Sequence, residues 1–218
     1  MADRFAAPEH APRGGLPGRD TTRYPASSAV RSTHSTTKRL ATTETLHWRY
    51  RGRVAGKPAG GGTPATDALT AAGVPFILHP YTHHDDSRDY GAEAARELGV
   101  DQLQIFKTLV VDVGIGRSPL AVGIVPVAAQ LDLKAFATAV GAKKATMAKP
   151  ADAARSSGYV VGGISPIAQK APLPTVLDET AQLFDTVFVS AGRRGLQVEL
   201  APADLLAITG ATWGDIAR

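Results

Sequence analysis

The 218-residue chain contains no cysteine and carries a formal net charge of +4. That excludes disulfides, thiolate metal sites and a cysteine nucleophile, and it fits a reducing cytoplasm. The charge is unevenly spread, with 11 basic and 4 acidic groups in the first 63 residues against 13 and 16 in the rest. Any nucleic-acid contact by the rest of the chain therefore has to come from a local basic patch, because its overall field weakly repels phosphate. No apolar run approaches bilayer-spanning length and no signal-peptide core is visible, so a soluble, cytoplasmic protein with no membrane partner is expected.

Residues 1–63 are rich in Pro, Gly, Ser, Thr and Arg, lack apolar periodicity and close on Gly60, Gly61 and Gly62. Such a segment buries too little apolar surface to offset its ordering entropy, and it reads as a disordered basic extension. A non-specific RNA arm, a targeting peptide and upstream sequence from a misplaced start codon all fit it. Residues 64–218 read as one domain.

Within that domain, Thr66 is expected to cap a short helix carrying Ala68, Leu69 and Ala72, with Gly73 after its end. A strand follows at 74–78, where Pro75 favours a sheet edge. His79, His83, His84, Asp85 and Asp86 then invite a metal reading, but they lack the helical i, i+4 histidine pair, and a solvated loop without metal is expected. An alanine-rich helix spans 91–98 and is closed by Gly99. In the strand at 105–113, period-two alternation places Lys107 on one face with Ile105, Leu109, Val111 and Val113. A lysine on an apolar face either snorkels to the sheet edge or has its ammonium held in a pocket that an anion could share.

The strand 120–126 pairs with it as a hairpin through a turn at 114–118. Asp132 caps a helix in which Leu133, Phe136, Ala137 and Val140 form the core face. Lys143, Lys144 and Lys149 follow as a basic cluster, then a short helix at 151–156. The stretch 158–166 reads Gly-Tyr-Val-Val-Gly-Gly-Ile-Ser-Pro, a short apolar strand running into Gly162 and Gly163. Adjacent glycines either mark a bulge or expose backbone N–H groups to a ligand. Residues 172–178 form a loop or strand. Strands at 186–190 and 196–200 flank a turn with Arg193 and Arg194, a residue pair suited to phosphate contact. Gln197 and Glu199 share a polar face, and a helix from Pro202 to before Gly210 follows.

Interleaved helices and hairpins without strict strand–helix alternation imply an α+β fold, a mixed, barrel-like β-sheet covered by helices. No nucleophile elbow, Walker loop or dinucleotide fingerprint is present. Lys107, the backbone of Gly162 and Gly163, Ser190 and the two arginines make a set for holding anions and polarising a carbonyl, with no cofactor.

Four strings, Phe106-Lys107-Thr108-Leu109, the run 125–132 (Val-Pro-Val-Ala-Ala-Gln-Leu-Asp), the run 158–166 and the run 190–196 (Ser-Ala-Gly-Arg-Arg-Gly-Leu), resemble the YbaK-type aminoacyl-tRNA deacylases, relatives of the prolyl-tRNA synthetase editing domain. The resemblance is colinear over about 64–218. It implies trans-editing of mischarged tRNA, foremost cysteine on proline tRNA, with prolyl-tRNA synthetase as a further partner. It makes Lys107 the central active-site residue, with Gly162 and Gly163 beside it, and assigns Tyr81, Ile164, Ser165, Ser190 and Gln197 to substrate binding. Lys143, Lys144, Arg193 and Arg194 are the tRNA-contact candidates. The family's proposed mechanism uses the substrate's own thiol, so the enzyme acts as a hydrolase, or as a lyase if the thiol cyclises. Where the best-known members carry an aspartate this chain has Gln197. Two alternatives stand beside this one: water-driven deacylation of alanyl-tRNA(Pro) or a broader substrate set, and a non-catalytic tRNA- or synthetase-binding module.

Overall fold

The computed structural model describes residues 62–84, 89–114 and 119–218. The basic extension up to residue 61, with His10, His34 and His47, and the centre of the 114–118 turn lie outside the described residues. The chain order is α1 (Pro64–Ala71), β1 (Ile77–Pro80), α2 (Tyr90–Leu98), β2 (Ile105–Asp112), β3 (Leu120–Pro126), α3 (Leu133–Ala139), β4 (Thr146–Met147), α4 (Pro150–Ser157), β5 (Thr175–Asp178), a 3₁₀ turn (Glu179–Leu183), β6 (Val187–Ser190), β7 (Leu196–Leu200), α5 (Pro202–Thr209) and β8 (Thr212–Gly214). The strands form one mixed sheet in the order β1-β7-β6-β2-β3-β5-β8, with β4 attached to β2. This is the mixed, helix-covered α+β sheet expected from the sequence. The sheet does not close, since β1 and β8 end the path.

Local chemistry explains most boundaries. The first helix is capped by Thr63 rather than by Thr66. Pro64 pre-sets the first helical φ, and Thr63 and Thr66 exchange side-chain-to-backbone hydrogen bonds in a capping box. Thr63 Oγ1 also donates to Ala191 O at 2.5 Å, which pins the helix start to the end of β6. Gly99 takes a left-handed conformation (φ 65°) and closes α2. Asp132 caps α3 by accepting from the Lys134 and Ala135 amides, both at 2.9 Å. The first strand begins three residues later than expected, at Ile77, and among the described residues it is an edge strand paired only with β7. The apolar run 159–161 forms no strand; it enters a turn, and Val160 is 56% exposed.

The central strand β2 decides where a site can form. Along one edge it pairs with β3 from Phe106 to Asp112, the expected hairpin. On its other edge Ile105 and Phe106 meet β6, and Val111 and Asp112 meet β4. Among the described residues, Lys107, Thr108 and Leu109 have no strand partner on that edge. At about 3.3 Å per residue, the two neighbouring strands are held roughly 16 Å apart along β2.

The apolar clusters follow the same division. The largest, including Phe106, Ile124, Leu177, Val189, Val198 and Leu205, lies between the sheet, α1 and α5. On the Lys107 face of β2, Ile105 joins Phe188 and the alanines of α2. Leu109, Val111 and Val113 join Phe136 and Ile216. Lys107 falls between these two clusters.

A buried carboxylate ties β5 to residues 216–217. Asp178, fully buried, accepts from the Thr180 amide (3.1 Å) and hydroxyl (2.5 Å) through one oxygen, and from the Ile216 (3.0 Å) and Ala217 (2.8 Å) amides through the other. Removing it leaves several buried donors without an acceptor, at ~3 kcal/mol. Asp178→Ala is expected to lower the unfolding free energy by that amount, read as a lower urea midpoint at an unchanged m-value; a loss below about 0.5 kcal/mol would rule out this role.

Candidate active site

A cavity of about 370 Å³ occupies the opening beside β2. Residues 105–110 form its floor. Its walls include Asp89, Tyr90 and Gly91 at the start of α2, Met147, Ala148 and Pro150 around β4, Val161, Gly162 and Ile164, and Ser190 with Gln197. Strand register accounts for the polar wall. Ser190 faces Gln197 across β6 and β7, and Gln197 faces His79 across β7 and β1. Extending the parallel pairing of Phe106 with Val189 by one residue brings Lys107 level with Ser190.

Lys107 is half-buried, and its Nζ donates to Ala129 O at 2.7 Å and Val127 O at 3.3 Å. These carbonyls are available because β3 ends at Pro126 and the chain turns back over the start of β2, with the Val127 amide bonded to Ile105 O. Burial lowers the Lys107 pKa from the usual lysine range, and the charge of Asp89 opposes that shift. Two carbonyls occupy two of the three ammonium protons; the third is free for a ligand anion.

Gly162 lines the cavity at φ 88°, and a Cβ there would lie 2.6 Å from the Tyr90 ring. Gly163 was expected beside it but is not among the lining residues. Its missing side chain makes room for the arginine turn, since a Cβ would fall 2.8 Å from the Arg193 carbonyl carbon. Ile164 and Ser190 line the cavity. Ser165 does not; it is fully buried, and its hydroxyl accepts from the Ile167 amide at 3.2 Å.

Gln197 does line the cavity, is 6% exposed, and its Oε1 has no hydrogen-bond partner. Its strand face was read as polar; the structure buries Gln197 in the wall of the site. Tyr81 sits outside the lining. Burial raises its phenol pKa, against hydrogen bonds with the Gly195 backbone and the Gln197 side chain.

The basic candidates divide. Lys143 and Lys144 are exposed just before β4, and Arg193 is exposed in the turn after β6. Arg194, also exposed, reaches across to the 160–163 turn: its Nε and Nη2 donate to Val161 O at 3.1 and 2.9 Å, and its guanidinium lies 5.1 Å from the Tyr90 ring centroid.

The histidine segment also differs from its solvated reading. His79 Nε2 is 2.7 Å from Glu199 Oε2, and His83 Nδ1 is 2.7 Å from Glu93 Oε2. His79 and His83 are each held by a carboxylate, His84 stays exposed 4.0 Å from Glu97, and Asp85 and Asp86 lie outside the described residues. Among the described residues no group of three or more His, Cys, Asp or Glu is placed to hold a metal. Sequence reading missed Asp89 and Tyr90. The helix cap was a usable signal for Asp89, which accepts from the Ala92 amide at 3.2 Å. For Tyr90 the clue was a lone aromatic opening an alanine-rich helix.

The aminoacyl-tRNA editing domain model matches residues 84–208, more than half of the chain. The chain belongs to the aminoacyl-tRNA editing domain family. A relative from Enterococcus faecalis, named "Putative Cys-tRNA(Pro)/Cys-tRNA(Cys) deacylase EbsC", is 39% identical over 143 residues, covering 66% of this chain and 85% of that protein. A crystal structure titled as that of a "putative trans-editing enzyme for prolyl tRNA synthetase" superposes with a TM-score of 0.60 at 27% identity, covering 71% of this chain and 95% of the other. The crystal structure of a hypothetical protein gives 0.63 at 25% identity, covering 72% of this chain and all of the other. In this editing domain, then, the family's match spans the cavity and every element that walls it.

Glu93 generates a prediction in pH. It is 1% exposed and accepts from His83 and from the His84 amide (2.8 Å). Burial alone would raise its pKa, but the His83 and His84 hydrogen bonds outweigh burial and hold it below the usual carboxylate range. A depressed carboxylate pKa contributes stability that is fully present above the unfolded value of ~4.3 and is lost as pH falls through the folded value. Glu93→Gln is therefore expected to be less stable than the parent at pH 7, with the gap narrowing in denaturant titrations below about pH 4. A gap independent of pH would exclude the ionised pair as its source.

Proposed function

We propose that this editing domain deacylates mischarged tRNA, foremost cysteine on proline tRNA, with the substrate's own thiol as nucleophile. The observation that carries the reading is a cavity holding a half-buried Lys107, an exposed backbone at Gly162 and, among the described residues, no histidine in its lining. Ser190 and Thr108 line it, and among the described residues neither hydroxyl is hydrogen-bonded to a basic side chain. A site with positioning and charge but no activated nucleophile suits a substrate that brings its own. Lys107 would hold oxygens of the terminal adenosine or its phosphate. The backbone around Gly162 would hold the aminoacyl carbonyl, and Gln197 and Ser190 its amino group. The thiol sulfur bonds to the ester carbonyl carbon, the carbon–oxygen ester bond breaks, and the thiol proton ends on the released ribose oxygen. Water then opens the resulting thiolactone to free cysteine. A thiol pKa near ~8.5 means that modest positive potential from Lys107 enlarges the reactive thiolate fraction.

The water-driven reading has one observation in its favour: Asp89 is a carboxylate in the cavity lining, close enough for its charge to act on Lys107. For an alanyl ester, which has no thiol, Asp89 would be the base. Hydrolysis of cysteinyl- and alanyl-tRNA(Pro) side by side separates the two. The thiol route predicts strong preference for cysteine and little loss in Asp89→Asn. The water route predicts alanine turnover that Asp89→Asn abolishes, and no turnover of either substrate would favour a binding module.

Lys107→Ala is expected to reduce deacylation at least about 100-fold, as for removal of one electrostatic stabiliser. With the Lys107 pKa lowered by burial, the alkaline limb of kcat/KM is expected below the ~10.4 of a free lysine. Unchanged activity in the alanine variant would remove Lys107 from the mechanism.

A further inference from the structure

Residues 160–163 form a turn in which the Gly163 amide donates to Val160 O at 2.9 Å. Its third residue, Gly162, has φ 88°, while Val161 keeps a negative φ. That combination is a type II turn. Types I and II share the closing hydrogen bond and differ by a flip of about 180° in the central peptide, here the one joining Val161 to Gly162. The flip exchanges the directions of Val161 C=O and Gly162 N–H, since both belong to one planar, trans peptide.

A single side chain distinguishes the two states. Arg194 clamps Val161 O with two donors, at 3.1 and 2.9 Å, and its guanidinium lies over the Tyr90 ring. Tyr90 in turn packs against the open side of Gly162. With its carbonyl held, the peptide must present the Gly162 N–H on the opposite side, and among the described residues that N–H has no acceptor. A charge-assisted bond to the carbonyl also strengthens the N–H as a donor through the same peptide.

We infer that Arg194 is a positioning residue that locks the turn in its type II state, so that the Gly162 N–H is presented to the substrate carbonyl oxygen in the cavity. This rests on the deacylase reading and reassigns Arg194 from tRNA contact. It also accounts for Gly163, whose lack of a Cβ lets the 193–194 backbone approach closely enough for the clamp.

The experiment uses the full chain with Arg194→Ala and Arg194→Lys, cysteinyl-tRNA(Pro) kinetics, and the Gly162 amide resonance of ¹⁵N-labelled protein. The lock predicts a fall in kcat of about 100-fold in Arg194→Ala, the scale of one lost oxyanion donor, with KM changed less than about threefold and an unchanged salt dependence. Arg194→Lys, lacking the two-pronged donor, should fall between. Added guanidinium should recover part of the Arg194→Ala loss, and the free protein's Gly162 amide should shift. An Arg194 that grips phosphate would raise KM, leave kcat intact and reduce the log–log salt slope by roughly one; that result, or an unmoved Gly162 amide, overturns the lock. If wild type fails to deacylate but the Gly162 amide still shifts in Arg194→Ala, the deacylase reading fails and the lock is supported.

Discussion

A β-strand inside a sheet normally has both edges satisfied along its length, because each unpaired backbone group in the interior costs free energy. The second strand here meets that demand fully on the β3 side and only at its two ends on the other. The split is forced by the neighbours. β6 runs parallel to β2 and stops at Ser190, where the chain turns through Gly192 to Gly195 into β7, and β4 is two residues long. The interval between them is an opening in the sheet, and the groups that line the cavity reach it from its floor or its borders.

That opening also determines how charge is distributed. Lys107 is the charged residue on a strand face whose other members feed two separate apolar clusters. Its ammonium is steadied by main-chain carbonyls at 129 and 127 rather than by a salt bridge, so it remains available to an anion. The buried carboxylate at Glu93 is instead spent on His83, and Glu199 on His79 and the Thr186 hydroxyl (2.7 Å).

Most of the fold was legible in the residues. Period-two alternation located β2, β3, β6 and β7, and caps at Asp132, Gly99 and Pro202 bounded their helices. Lys107 stood out because one charge on an apolar face contradicts the pattern around it. What sequence could not convey was which face of a half-polar strand meets water. Gln197 and Glu199 alternate as a polar face would, yet Gln197 is buried in the cavity wall and Glu199 is held by His79 and the Thr186 hydroxyl. Nor could periodicity reveal that Val160 and Val161 belong to a turn. Two β-branched residues favour a strand locally, and only the glycine that follows, with its positive φ, reverses the choice. Short strands such as β4 and β8 carry too few residues for any period to show.

The pairing of Ile105 with Phe188 joins two points more than eighty residues apart, whereas the β2–β3 hairpin closes within one short turn. Loop closure of that length delays the parallel contact relative to the hairpin during folding. A ribosome-bound chain can thus complete the floor of the cavity while its polar wall, Ser190 and Gln197, is still inside the exit tunnel or unmade. Site assembly waits for the chain beyond residue 197, so a truncated product that stops before β7 lacks the polar wall of the pocket.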